Sequence, residues 1–349
     1  MLRREPRYPT IARYRRRRFT RAATLLSAAA IMAGVLLVAG AVLGAFNSTN
    51  ANTNNSIGAA ADFVAPTASR SVIGKTQGGT PGFIRQGGSY FVYGDVTDSG
   101  NPASGVSTVS SNTSTITTGA TATALAAGAF SAGGLSYNRR TASVTANGSL
   151  TAGTYNYTLS STDVAGNART ENGFSVVVDN TAPAAADIQT ANVNTIVGRP
   201  QITDTITFTF SEPVEPGTVL SGWDGSATAV VVRMTNGLIL LGDDGFEIFN
   251  AADSAQLPLG TVDLGRGDYI GGLLGGEVAR FGATGTSSSM VLSGNSITIT
   301  LGTASGQGAI TAGGNGTMSW DPVTTPTDRA GNSMNGAAVN ESGGADREF

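Results

Sequence analysis

From Pro66 onward the chain alternates apolar and polar residues with a period of two and never sustains a period of 3.6, so strands rather than helices must build its core. Segments rich in Val, Ile, Thr, Tyr and Phe are interrupted by Gly, Asn or Asp at intervals of roughly 8 to 12 residues, the spacing of an all-β sandwich. Tyr90 to Val96 reads as a buried aromatic strand. Tyr155, Tyr157 and Leu159 alternate with Asn156 and Thr158, and Phe174 to Val178 closes this first group. Further on, Ile206, Phe208 and Phe210 alternate with Thr205, Thr207 and Thr209, which predicts rings inside and hydroxyls outside. Met290 to Ser293 and Ser296 to Leu301 flank Gly294-Asn295, a pair suited to the positive φ of a two-residue hairpin turn. The alanine-rich run Thr121 to Phe130 comes nearest to a helix, although Gly128 and the flanking threonines weigh against one.

The beginning of the chain follows other rules. Nine arginines lie between Arg3 and Arg21 against Glu5 alone, and an uncharged apolar run follows from Ala22 to Phe46. Basic residues ahead of an apolar segment read as an export signal, and this one is also long enough to span a bilayer as a transmembrane helix. Small residues at Gly40 to Gly44, or Thr49 with Ala51, offer cleavage sites, so cleaved signal and retained anchor both stay open. In either case the arginines stay in the cytoplasm and everything after Phe46 is expected outside, secreted or anchored to the cell membrane. Residues 47–66, small and polar, read as a flexible spacer.

Composition removes several chemistries. Without Cys or His the chain cannot build a Ser-His-Asp triad, a Cys-His dyad, a zinc finger or a disulfide framework. Lys75 is the sole lysine, which leaves one candidate for Schiff-base chemistry, in a Gly-rich stretch. The overall charge of −3 conceals an acidic body behind the basic start, a poor partner for nucleic acid. No Gly-rich segment precedes a recognisable helix, so a phosphate loop is not expected.

An internal echo divides the rest. TDVAGN at Thr162 to Asn167 returns as TDRAGN at Thr327 to Asn332, with a shorter TDSGN at Thr97 to Asn101. After the first echo come an apolar strand and VDNTAP, Val178 to Pro183, where a proline beyond a closing strand suits a domain junction; Pro66 plays the matching part in front. The expected domains are thus residues 1–46, 47–66, 67–183 and 184–349. The succession TDVAGN, apolar strand, VDNTAP resembles the closing segment of bacterial immunoglobulin-like domains, which recur in tandem in exported surface proteins and adhesins. Asp204 to Val219, DTITFTFSEPVEPGTV, resembles the opening segment of another bacterial Ig-like class. The resemblance implies two Ig-like β-sandwiches, the second enlarged beyond the roughly 100 residues usual for that fold. It does not account for Trp223 and Trp320.

Candidate site residues are few. Glu212, Glu215, Asp243 and Asp244 are the carboxylates a two-acid hydrolase would need, but they sit at a strand end and an ordinary turn, and an enzyme is not expected. Trp223 and Trp320 could stack on a sugar or pack in the core. Asp163, Asp179 and Asp187, with Asn167, are near enough in sequence to meet at the junction and take calcium, which tandem Ig-like adhesins are known to use there; turn stabilisation is their other reading. No other cofactor is implied. The expected protein is a non-enzymatic surface module with a structural or adhesive role. Its partner would be a cell-envelope or extracellular protein or glycan, and it would meet the membrane through its N-terminal segment. The alternatives are a fibre subunit assembling by strand addition and a carbohydrate-binding module.

Overall fold

The computed structural model describes residues 62–237, 242–272 and 275–349. The export segment and nearly all of the spacer lie outside the described residues. Among the described residues the chain is β throughout, save for one helical turn at Pro216–Val219, and no helix is long and apolar enough to cross a membrane.

The first half contributes β1 (Thr67–Lys75), β2 (Phe83–Ile84), β3 (Ser89–Thr97), β4 (Val106–Asn112), β5 (Thr123–Ala132), β6 (Leu135–Thr141), β7 (Val144–Thr145), β8 (Gly153–Asp163) and β9 (Ala168–Val178). They pair in the order β1-β3-β6-β5-β4-β8-β9-β2, with β7 on β3. All pairs are antiparallel except β2 with β9. The alanine-rich run therefore forms strand β5, not a helix. Its ladder to β6 slips between Ala127 and Phe130, and Gly128 sits in that irregularity, where an added Cβ would lie 2.7 Å from the Phe130 ring. Tyr90, Val92, Val96, Tyr157, Leu159 and Val176 are buried members of one core.

The second half is larger. It runs through β10 (Ala185–Ala191), β11 (Thr205–Phe210), β12 (Thr228–Thr235), β13 (Gly245–Asn250), β14 (Thr261–Asp263), β15 (Ile270–Gly271) and β16 (Val278–Phe281). It continues through β17 (Ser288–Ser293), β18 (Ser296–Thr300), β19 (Ala304–Gly306), β20 (Ala309–Ile310), β21 (Ser319–Asp321) and β22 (Val339–Asn340). The main sheet runs β10-β11-β18-β17-β12-β13-β14-β21-β22, with β16 against β12 and β19, and β15 pairs β20 separately.

Ile206, Phe208 and Phe210 of β11 are buried and Thr205, Thr207 and Thr209 half-buried, as the two-residue period requires. Phe208 and Phe210 both meet the Trp320 ring edge-on, at 5.0 and 5.2 Å between centroids. Burying each phenyl is worth about 1.5–3 kcal/mol, so this aromatic trio is a principal support of the second core. The hairpin turns at Gly294, φ 61°, with Ser293 opposite Ser296. The last member of the first core is Val178 and the first of the second is Ile188, with Pro183 between them. Both cores belong to one compact unit, Ala60–Phe349.

Candidate functional site

Two short sequence patterns recur at the head of each sandwich. One is Asp-x-x-Ala-Pro, at Asp62 to Pro66 and again at Asp179 to Pro183; the other is Asp-x-Ala-Gly-Asn, at Asp163 to Asn167 and Asp328 to Asn332. The fold brings them together as strap and loop. In the first loop the Asn167 backbone N–H donates to Asp163 Oδ1 at 2.7 Å and Asn167 Nδ2 to Asp163 Oδ2 at 2.7 Å. In the second, Asn332 N–H and Nδ2 make the same two bonds to Asp328, at 2.7 and 2.8 Å. Gly166 and Gly331 both have φ 93°, a left-handed conformation that glycine adopts without strain. The remaining amide hydrogen of each asparagine fastens the strap: Asn167 Nδ2 reaches the Asp62 carbonyl at 3.1 Å, and Asn332 Nδ2 the Asp179 carbonyl at 2.9 Å.

Each latch gathers three carboxylates with oxygens within 4.8 Å of one another: Asp62, Asp98 and Asp163 in front, and Asp179, Glu212 and Asp328 between the sandwiches. Such a trio supplies the oxygen ligands that calcium takes. The two trios differ in their hydrogen bonds. Asp62 accepts from the backbone of Val64 at 2.9 Å and of Ser104 at 2.8 Å, and Asp98 from Gly100 and Gly105 at 3.3 and 2.6 Å. Those backbone bonds hold the Asp62 carboxyl below the usual range. Glu212 Oε1 is buried with no partner, and burial, followed by the charges of Asp179 and Asp328, pushes Glu212 up to about 7. An unneutralised Glu212 there needs a proton or a cation.

Beside the inner latch a cleft encloses about 580 Å³ among Lys75, Arg85, Ser89, Glu215, Thr218 and Thr327. Lys75 from β1 and Glu215 from the second sandwich are both buried, with 3.5 Å between Nζ and Oε2. Glu215 also accepts from Thr80 N–H at 2.8 Å, and Lys75 Nζ donates to the Arg329 carbonyl in the second loop. Burial lowers the lysine's pKa against the pull of Glu215. The sole lysine of the chain is thus committed to a cross-sandwich ion pair.

The residues singled out from sequence fall in different places. Asp163, Asp179 and Asp187 do not converge. Asp163 belongs to the front latch and Asp179 to the inner one, whereas Asp187 accepts from Ser342 N–H and Oγ, both at 2.8 Å, beside the last strand. The separation arises because Asp163 and Asp179 sit at opposite ends of β8 and β9, each fastened to its own strap. Trp320 is 0% exposed and its Nε1 donates to the Leu259 carbonyl at 2.6 Å; Trp223 is 7% exposed and donates to the Ser226 carbonyl at 2.6 Å. Trp320, enclosed in the second core, offers no open face for a sugar, whereas Trp223, packed against the same core, borders a shallow surface pocket with Leu220, Asp224 and Thr228. Asp244 is fully buried and accepts from the backbone of Gly237, Tyr269 and Ile270, a loop-pinning role, while Asp243 is exposed. Sequence reasoning passed over Asp62, Asp98, Glu212 and Asp328 as metal candidates. The duplicated Asp-x-x-Ala-Pro was the available signal for Asp62, and the echo motifs themselves contain Asp98 and Asp328.

No protein-family model matches this chain, and neither the curated proteins nor the solved structures hold a significant match to it.

Proposed function

We propose that this is a non-enzymatic, exported cell-surface protein whose two β-sandwiches are Ig-like modules held in fixed register to serve a structural or adhesive role. The observation that carries the reading is the duplicated latch. A strap pinned by an Asp-x-Ala-Gly-Asn loop at the head of both sandwiches is a device for joining modules in series, and at the inner copy it is reinforced by the Lys75–Glu215 pair. The arginine-rich start followed by the apolar run from Ala22 supports export.

Residual dipolar couplings on the intact chain test the joint. Couplings from β1–β9 and from β10–β22 should fit one common alignment tensor, and Asn332→Ala combined with Lys75→Met should split them into two. Two unrelated tensors in the unmodified protein would overturn the reading. Export is tested separately: protease added to intact cells should digest residues 62–349, and full protection there, with digestion only after lysis, would place the modules inside.

A further inference from the structure

A third carboxylate group lies away from both latches, where the segment after β22 folds back over the second sandwich. Glu341, Asp346 and Glu348 bring oxygens within 4.8 Å of one another. Glu348 is 1% and Glu341 8% exposed, while Asp346 faces solvent. Part of this group is well satisfied: Glu341 Oε1 accepts from Met318 N–H at 2.9 Å, and Glu348 Oε2 accepts from Thr190 Oγ1 of β10 at 2.6 Å. Glu348 Oε1 is not. It is buried without a hydrogen-bond partner, in a group that otherwise offers acceptors. Among the described residues no Lys or Arg forms an ion pair with any of the three.

An orphaned buried carboxylate oxygen beside two more carboxylates has two remedies, a shared proton or a cation. Two features favour the cation. Asp346 keeps an open side toward solvent through which an ion can enter and retain waters, and the donors are all hard oxygens in a chain that has neither His nor Cys. We propose that Glu341, Asp346 and Glu348 form a divalent-cation site of the calcium class, separate from the latches, that clamps the segment 341–349 to β10 and to the strand region around Met318. The ion would tie together three stretches far apart in sequence, at Thr190, at Met318 and at the end of the described chain.

Terbium reports on the site directly, because Tyr269 Oη accepts the Glu348 backbone N–H at 2.8 Å and places a sensitising phenol beside it. The intact chain should show terbium luminescence excited through tyrosine, and calcium at roughly millimolar concentration, the range of extracellular modules, should compete it away. Asp346→Asn, at an exposed position, and Glu348→Gln should each weaken that binding at least tenfold, whereas Asp328→Asn at the inner latch should leave this signal unchanged. Glu348→Gln should also remain folded in chelator, with a melting temperature no lower than the parent's, because it removes a buried charge. Absence of tyrosine-sensitised terbium luminescence in calcium-free buffer, with terbium raised to roughly millimolar concentration, would overturn the proposal in favour of a shared proton. So would binding that survives both Asp346→Asn and Glu348→Gln.

Discussion

The front and inner latches share a motif, two asparagine-to-aspartate hydrogen bonds and a glycine at φ 93°, yet they differ in their third carboxylate and in what surrounds them. In front, Asp98 and Asp62 spend their oxygens on backbone N–H groups, and Phe63 and Val164 nearby are 74% and 71% exposed. Between the sandwiches, Glu212 replaces Asp98 and keeps a buried oxygen without a donor. There the Asp179 N–H donates to the Ile84 carbonyl at 3.0 Å, and the loop carbonyl of Arg329 accepts from Lys75. The same loop thus closes a self-sufficient end in one place and an electrostatically incomplete joint in the other. A motif fixes the backbone of such a latch; the residue contributed by the neighbouring strand end decides its charge balance.

The strongest way to break the comparison is through the cores on which the latches rest. Phe208→Ala should cost roughly 3–5 kcal/mol in chemical denaturation, because it empties the space against Trp320 and Phe246, and the loss should fall on the second sandwich alone. A cost within about 0.5 kcal/mol would mean that the ring is not buried. Next comes the ion pair. Lys75→Met leaves the Glu215 carboxylate buried without its cation and should cost about 3 kcal/mol, much of it recovered by Lys75→Met with Glu215→Leu. A double-variant loss equal to the sum of the two single-variant losses would show that the two residues do not act as a pair.

The latches themselves come third. Asn332→Ala removes two side-chain hydrogen bonds at once, to Asp328 Oδ2 and to the Asp179 carbonyl, and should cost about 1–3 kcal/mol; Asn167→Ala should cost a similar amount in the first sandwich. If Asn332→Ala leaves the two sandwiches melting together as before, the strap is not what couples them.

The smallest effects have opposite signs. Glu212 has a raised pKa in the folded protein, so folding takes up a proton between the unfolded value of 4.5 and about 7, and stability falls as pH rises through that window. Glu212→Gln should therefore be neutral near pH 4 and raise the melting temperature by roughly a few degrees at pH 8. Asp62 has a lowered pKa, so its contribution is present above 3.8 and is lost as pH falls through the folded value. Asp62→Asn should destabilise at pH 7 and become neutral in strong acid. Like signs for the two substitutions in thermal melts at pH 7 to 8 would erase the distinction between the latches.

Much of the β architecture was legible where one strand face meets the core, as at Phe208 and the Gly294 hairpin, because period-two alternation is written into neighbouring residues. It was obscure where both faces are alike. β5 presents mostly exposed alanines and bends at Gly128, and the first half of β9, Ala168 to Gly173, is largely exposed, so neither carries a pattern. The latch loops were legible as turns, since Asp and Gly at fixed spacing specify turn chemistry locally. Their carboxylate trios were not. Asp62 was hidden in a polar spacer, Glu212 looked like a strand end, and Asp187 turned toward Ser342 through a contact across most of the second half. Such convergence depends on strand pairing over long separations, which short-range spacing does not encode.

The inner latch's incomplete charge is tested most directly by following the side-chain carboxyl carbons of Glu212 and Asp62 by NMR as pH is varied in chelator, then again with calcium. Glu212 should titrate near 7 without the ion and lose that titration when calcium occupies the trio, while Asp62 titrates below the usual carboxylate range in both conditions. Glu212 titrating near 4.5 in chelator, alongside an ordinary Asp62, would contradict the account.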